Sequence, residues 1–177
     1  MELQEWIDGK LTKKEHGYYI EGEDECVLYH HEEDGIKKSI ELLCKKYKFE
    51  SVLELGFGMG WTATEFQKQG IKRHVIIEPN KGIYESALEW NKDYNAEILN
   101  MFSWEYEPKE KFDLVYDDIL AFGNTRNRHD KFINKFKDRW YARCMQWKCL
   151  YKSTVMEKPY IDYEVNKTKY RQIIEKL

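Results

Sequence analysis

The feature that most restricts this chain is a short apolar run, Ser51-Val52-Leu53-Glu54-Leu55, that ends in closely spaced glycines, Gly56-Phe57-Gly58-Met59-Gly60. A helical stretch from Trp61 to Gln69 follows, stopped by Gly70. A strand that is apolar almost throughout has to be covered on both faces, which is the habit of parallel sheets. Glycines at alternate positions let the backbone turn sharply and approach a ligand with no Cβ in the way. The next helix aims its N-terminal N–H groups and the positive end of its dipole at the same place. With GxGxxG spacing the expected ligand is a pyrophosphate. Here the spacing is ExGxGxG, and a carboxylate at Glu54 repels phosphate but suits the ammonium group of an amino-acid-bearing ligand.

The alternation of strand and helix continues. His74-Val75-Ile76-Ile77-Glu78 reads as a second strand that Pro79 ends. Lys81 to Asn91 reads as a helix, Ala96 to Asn100 as a third strand and Phe112 to Asp117 as a fourth. Residues 127–141 predict a basic helix, Cys144 to Tyr151 a fifth strand, and 164–177 a closing helix. Upstream, Ile36, Ile40, Leu43 and Tyr47 fall on one helical face. Residues 1–33 mix aromatics, acids and glycines and read as an arm of short strands or turns. With no repeat or linker, the 177 residues are expected to form one domain: 1–33 an arm over the site, 34–177 a Rossmann-like, doubly wound, mostly parallel α/β core with a shortened C-terminal strand pair.

Composition narrows the partners. No apolar run approaches the ~20 residues of a membrane span, and the N-terminus lacks the basic start and apolar stretch of a secretory signal. Four cysteines form no CxxC pair, so reduced thiols and a cytoplasmic location are expected. The net charge of −3 argues mildly against general polyanion binding. It is unevenly placed: residues 1–108 carry 13 Lys/Arg against 22 Asp/Glu, and 109–177 carry 16 against 10. The basic stretch 126–143 fits an amphipathic helix with Phe132, Ile133, Phe136 and Trp140 as its buried stripe; nucleic-acid binding is the competing reading. His129, among those basic residues, reads as a surface side chain. His30 and His31 are adjacent on an extended arm and point to opposite sides, so no metal site is expected.

Glu78 follows Gly56 by 22 residues and ends the second strand. An acid at that place accepts hydrogen bonds from both ribose hydroxyls of a nucleoside and excludes a 2′-phosphate.

These stretches resemble a known family. Val52-Leu53-Glu54-Leu55-Gly56-Phe57-Gly58-Met59-Gly60 and His74-Val75-Ile76-Ile77-Glu78-Pro79-Asn80 are similar to motifs of the guanidinoacetate N-methyltransferase group, class I methyltransferases that include the fungal type IV arginine methyltransferases. Trp104-Glu105 resembles that family's Trp-Glu after the third strand, and Phe112-Asp113-Leu114-Val115-Tyr116-Asp117 its fourth strand, with one residue fewer. The resemblance spans roughly residues 25–135 and is strongest over 52–80. It implies S-adenosylmethionine as cofactor and S-adenosylhomocysteine as product. Glu54, Gly56, Phe57, Gly58 and Gly60 would surround the methionine end, Glu78 and Pro79 the ribose, and Ser103 and Trp104 the adenine. Asp117 would border the cofactor and polarise a guanidino substrate, helped by Glu32 from Val27-Leu28-Tyr29-His30-His31-Glu32. The implied reaction is N-methylation of a small guanidino or amino compound, with a homodimer as a compatible assembly.

The chain also departs from the pattern. Asp118-Ile119 replaces the family's Tyr-Pro after the fourth strand, and no Leu-Lys-Pro-Gly-Gly turn precedes a fifth. Three alternatives stay open: an RNA methyltransferase using 126–143, although it lacks the Pro-Pro-aromatic turn of base-flipping amino-methylases; an aminopropyltransferase-like enzyme; and a non-catalytic cofactor-binding subunit.

Overall fold

In the computed structural model, which describes residues 3–21, 26–119, 125–133, 140–144 and 161–162, five strands lie parallel in one sheet. These are β4 (Ser51–Leu55), β5 (Arg73–Ile77), β6 (Glu97–Leu99), β7 (Leu114–Asp117) and β8 (Trp140–Cys144); β9 (Ile161–Asp162) adds an antiparallel edge. Their order is β6-β5-β4-β7-β8-β9. From β4 the chain moves outward one way through α3 (Trp61–Lys68) and α4 (Lys81–Trp90), then returns to the other side of β4 for β7. Right-handed crossovers put α3 and α4 on one face and α5 (Arg126–Ile133) on the other. The strand order reverses between β4 and β7, where open α/β sheets bind ligands.

The sheet is dry on both faces. Leu53, Leu55, Val75, Ile77, Leu114 and Val115 are at most 1% exposed, and each such side chain contributes roughly 1.5–3 kcal/mol relative to exposure. Helix α2 (Glu33–Lys46) buries Ile36, Ile40 and Leu43, spaced to form one stripe, and packs beside α3. Acids in its first turn and lysines in its last suit the helix dipole.

An N-terminal arm precedes this core: α1 (Leu3–Asp8) and an antiparallel meander of β1 (Leu11–Lys13), β2 (Gly17–Ile20) and β3 (Cys26–Tyr29). The helix α1 is absent from the sequence reading because six residues with one buried side chain, Trp6, are too few for periodicity to register. The arm is fastened by Asn80. Its Oδ1 accepts from the Ile83 N–H and caps α4, while its Nδ2 donates to the carbonyls of Trp6 and Gly9. Asp8 adds an ion pair with Lys81.

Two sequence expectations need correction at the C-terminal end. Helix α5 is described over Arg126–Ile133, but 140–141, expected as its end, are strand, and β8 (Trp140–Cys144) begins four residues before the fifth strand expected at 144–151; residues 134–139 and 145–151 lie outside the described residues. Trp140 looked like a continuation of the helical stripe. Beside a waiting edge at β7 the pair Trp140-Tyr141 instead extends and hydrogen-bonds, with Leu114 opposite Trp140. The antiparallel closing partner exists as β9. The expected helix 164–177 lies outside the described residues, as does much of the 126–143 basic stretch. Among the described residues no helix is long and apolar enough to cross a membrane.

Because one buried amide fastens the arm, Asn80→Ala should lower stability by about 2–4 kcal/mol, combining a lost cap with carbonyls left short of a donor. Asn80→Ser keeps a capping oxygen but not the two donors. It should recover part of the denaturant midpoint yet leave residues 3–21 as sensitive to limited proteolysis as in the alanine variant. Unchanged protease resistance in both variants would show that the arm is held elsewhere.

Candidate active site

The register brings Leu55, Ile77 and Asp117 side by side at the carboxyl ends of β4, β5 and β7. Beyond them the chain makes the glycine turn. Gly56 has φ of +90° and donates its N–H to the Ile77 carbonyl. A Cβ at Gly56 would stand 2.9 Å from the Asp118 carbonyl oxygen, so both the backbone conformation and the space demand glycine. Gly58 has φ of +55°, and a Cβ there would stand 2.8 Å from Leu28 Cδ1. The arm therefore lies directly over the loop, and the Tyr18 ring meets Trp61 edge-on at 6.4 Å.

Four carboxylates are buried around this turn. Glu78 holds the loop itself: its Oε2 accepts from the Phe57 N–H at 3.0 Å and its Oε1 from the Asn80 N–H at 2.8 Å. Burial pushes its carboxyl up to about 7, opposed by the backbone donors. Phe57 and Pro79, the neighbours on the two contacting segments, are buried as well.

Glu54 lies within β4 and is fully buried. Its Oε2 is 2.8 Å from His74 Nε2, and His74 Nδ1 is 3.0 Å from Gln67 Nε2. Its Oε1 has no hydrogen-bond partner among the described residues. Burial raises its pKa, and the His74 contact opposes that. An orphaned acceptor beneath a glycine loop fits a ligand that brings a donor such as an ammonium group.

Asp117 is fully buried at the end of β7. Its Oδ1 accepts from the Ile119 N–H at 3.2 Å, and its Oδ2 is 2.9 Å from His129 Nε2. His129 Nδ1 in turn is 3.0 Å from Ser103 Oγ. The expectation that His129 sits at the surface is overturned, since it is 1% exposed. Its charged neighbours in sequence suggested solvent, but it precedes the buried Phe132 by three residues and so shares its helical face. That spacing was the signal available to find it. Ser103 opens a 3₁₀ turn, Ser103–Glu105, in which the partly buried Trp104 ring stacks on Phe102 at 4.4 Å and 9°.

Glu32 begins α2 and is 4% exposed, not solvated. Its Oε2 accepts from the Tyr29 N–H at 2.9 Å, and burial raises its pKa. It lies four residues past Leu28, on the segment that covers Gly58.

Cys44 is half-buried and its thiol is pushed up to about 12 by burial, which makes it a poor nucleophile.

Solved structures share this architecture. The N-methyltransferase NodS of Bradyrhizobium japonicum, in complex with S-adenosylhomocysteine, matches with a TM-score of 0.53 at 14% identity, over 68% of this chain and 65% of that one. The tRNA (uracil-54, C5)-methyltransferase of Pyrococcus abyssi, also with S-adenosylhomocysteine, matches with a TM-score of 0.52 at 18% identity, over 78% and 35%. A putative RNA methyltransferase of Pyrococcus horikoshii gives 0.51 at 13% identity, over 67% and 65%. The chain spans less than two thirds of the length of each of these three. At such identities the likeness establishes the fold, a Rossmann-like class I methyltransferase sheet. The sequence itself matches the guanidinoacetate N-methyltransferase family over residues 29–162, well over half of the chain, and this protein belongs to that family of S-adenosylmethionine-dependent methyltransferases.

Proposed function

We propose that this chain transfers the methyl group of S-adenosylmethionine to a nitrogen of a small guanidino or amino compound. The observation that carries the reading is the fully buried Asp117 carboxylate, held at the crevice where strand order reverses and next to the glycine turn. Family membership supports the cofactor and supports a nitrogen acceptor. The residues suit the cofactor on their own terms: a cradle at Gly56 that a Cβ would fill, the orphaned Glu54 Oε1 for an ammonium group, and Glu78 at the strand end for ribose hydroxyls.

S-adenosylmethionine supplies an electrophilic sulfonium methyl, and its displacement needs an aligned nitrogen more than a covalent intermediate. Asp117 orients the acceptor by accepting from its N–H groups and offsets its positive charge. A buried carboxylate gains most from a cationic partner, because there is no water to screen the pair. Glu32, with its raised pKa, is suited to take the proton the nitrogen gives up on methylation. The arm bearing Glu32 and Leu28 keeps water away from the loop.

Glu78 makes cofactor binding pH-dependent in a definite sense. Ribose hydroxyls donating to both oxygens favour the carboxylate, so binding should pull its pKa below the ligand-free value of about 7. Affinity for S-adenosylhomocysteine, measured by calorimetry, should therefore rise from pH 6 to pH 8 and flatten above. Glu78→Ala should weaken it by about 1–3 kcal/mol, and Glu78→Gln should lose the pH dependence. The folded ligand-free protein shows the opposite slope. Glu78 keeps its proton up to about 7 when folded, against an ordinary value of 4.5. Its contribution to stability is thus complete below about 4.5 and is lost as pH rises through about 7. Glu32 and Glu54 shift in the same direction. A pH-independent affinity would remove Glu78 from the ribose site.

Asp117→Asn keeps the shape but removes the charge that orients the acceptor. With guanidinoacetate as the probe, kcat/KM should fall by several orders of magnitude while S-adenosylhomocysteine affinity changes by less than about threefold. Full activity of the asparagine variant would refute the acceptor role.

A further inference from the structure

The hydrogen-bonded chain Ser103–His129–Asp117 joins three separate elements: the 3₁₀ turn after β6, helix α5 and the end of β7. All three side chains are at most 2% exposed. It shares its residue types with a hydrolytic triad but not its wiring. There the serine is bound to Nε2 and the carboxylate to Nδ1; here Ser103 meets Nδ1 and Asp117 meets Nε2. Ser103 is also buried, so a nucleophilic role has no access.

The geometry fixes what the ring does. An ionised Asp117 can only accept, so Nε2 carries a hydrogen and donates it. With its hydrogen on Nε2, the ring leaves Nδ1 to accept from the Ser103 hydroxyl; the acceptor-only carboxylate selects the tautomer, and the serine, able to donate or accept, follows it. A histidine is well matched to this place. Lys or Arg would bring a permanent positive charge that competes with a cationic acceptor, whereas an imidazole N–H fixes the carboxylate without one. With Ile119 N–H on one oxygen and His129 on the other, Asp117 is held in one rotamer.

We propose that His129 is a positioning residue: it orients Asp117 toward the acceptor and, through Ser103, ties that orientation to the 103–105 turn. This rests on the assignment of Asp117 to the acceptor. Since Trp104 belongs to the same turn, the state of that turn is transmitted to the acceptor carboxylate through a single imidazole.

The test uses the full chain and the variants His129→Phe, His129→Gln and Ser103→Ala, with guanidinoacetate as probe and ¹⁵N-histidine NMR as a readout independent of turnover. His129→Phe should lower kcat/KM by about 10- to 100-fold, with S-adenosylhomocysteine affinity within about threefold. His129→Gln, whose amide N–H can reach the same oxygen, should restore most of the loss. In the unmutated protein the His129 ring should be a single Nε2–H tautomer, retained in Ser103→Ala, where the carboxylate still sets it, and becoming a mixture in Asp117→Asn. Activity of His129→Phe near that of the parent, a glutamine variant no better than phenylalanine, or an Nδ1–H tautomer would overturn the proposal. If the parent methylates no guanidino or amino probe, the acceptor assignment fails. The tautomer then still decides the wiring: a ring insensitive to Asp117→Asn overturns it, and a responsive one sustains it.

Discussion

The site depends on one carboxylate, that of Glu78, held between two backbone segments. One oxygen binds the glycine loop at Phe57 and the other binds the start of α4 at Asn80. Without it, the backbone N–H groups of Phe57 and Asn80 would lose their acceptor at the carboxyl edge of the sheet. A carboxylate there satisfies both and ties the two segments together. The same residue that presents its N–H to Glu78 also grips the arm with its side chain. Glycine loop, helix start and covering arm are thus linked within three consecutive residues, Glu78-Pro79-Asn80.

The other buried acids follow a related rule with different partners. Glu54 and Asp117 each take a histidine from a neighbouring element, and each histidine is backed by a neutral side chain, Gln67 or Ser103. Taking a carboxylate out of water costs several kcal/mol unless donors replace the water. A lysine or arginine partner would repay that cost fully and leave little attraction for a ligand. Imidazole and backbone donors, with no permanent charge, repay it in part. The raised pKa of Glu54 and Glu78 reflects the remainder, which is available to a ligand that brings hydroxyl or ammonium donors.

This division explains which parts of the molecule the sequence discloses. The glycine loop, Glu78 and the strands around them are local: the loop's spacing, Pro79 after the strand and the asparagine cap at Asn80 are all written within residues 51–80. The predicted bounds of β4 match, β5 begins and ends one residue earlier than predicted, and α4 ends one residue earlier. His129 depends instead on a contact across the fold. Its exposed neighbours Arg128 and Lys131 describe another face of α5, and local charge masks a single inward-facing imidazole. The same limit applied at Trp140, where an aromatic fits a helix stripe or a sheet edge equally well until β7 is in place.

Glu32 shows how the arm and the core become one site. Its sequence neighbours Glu33 and Asp34 suggest a solvated cluster, yet only Glu32 turns inward, because the meander ends at Tyr29 and a 3₁₀ turn over His30–Glu32 reverses the chain into α2. The Tyr29 N–H, left free as the strand ends, is taken by the Glu32 carboxylate. The acid is therefore drawn in by the turn's own need for an acceptor. A raised pKa follows from that burial. Among the described residues this carboxylate has one backbone donor and no cation. Under the proposed function, a positively charged acceptor shared with Asp117 would complete the arrangement, and the arm would then supply the second negative charge that favours a guanidinium or ammonium group.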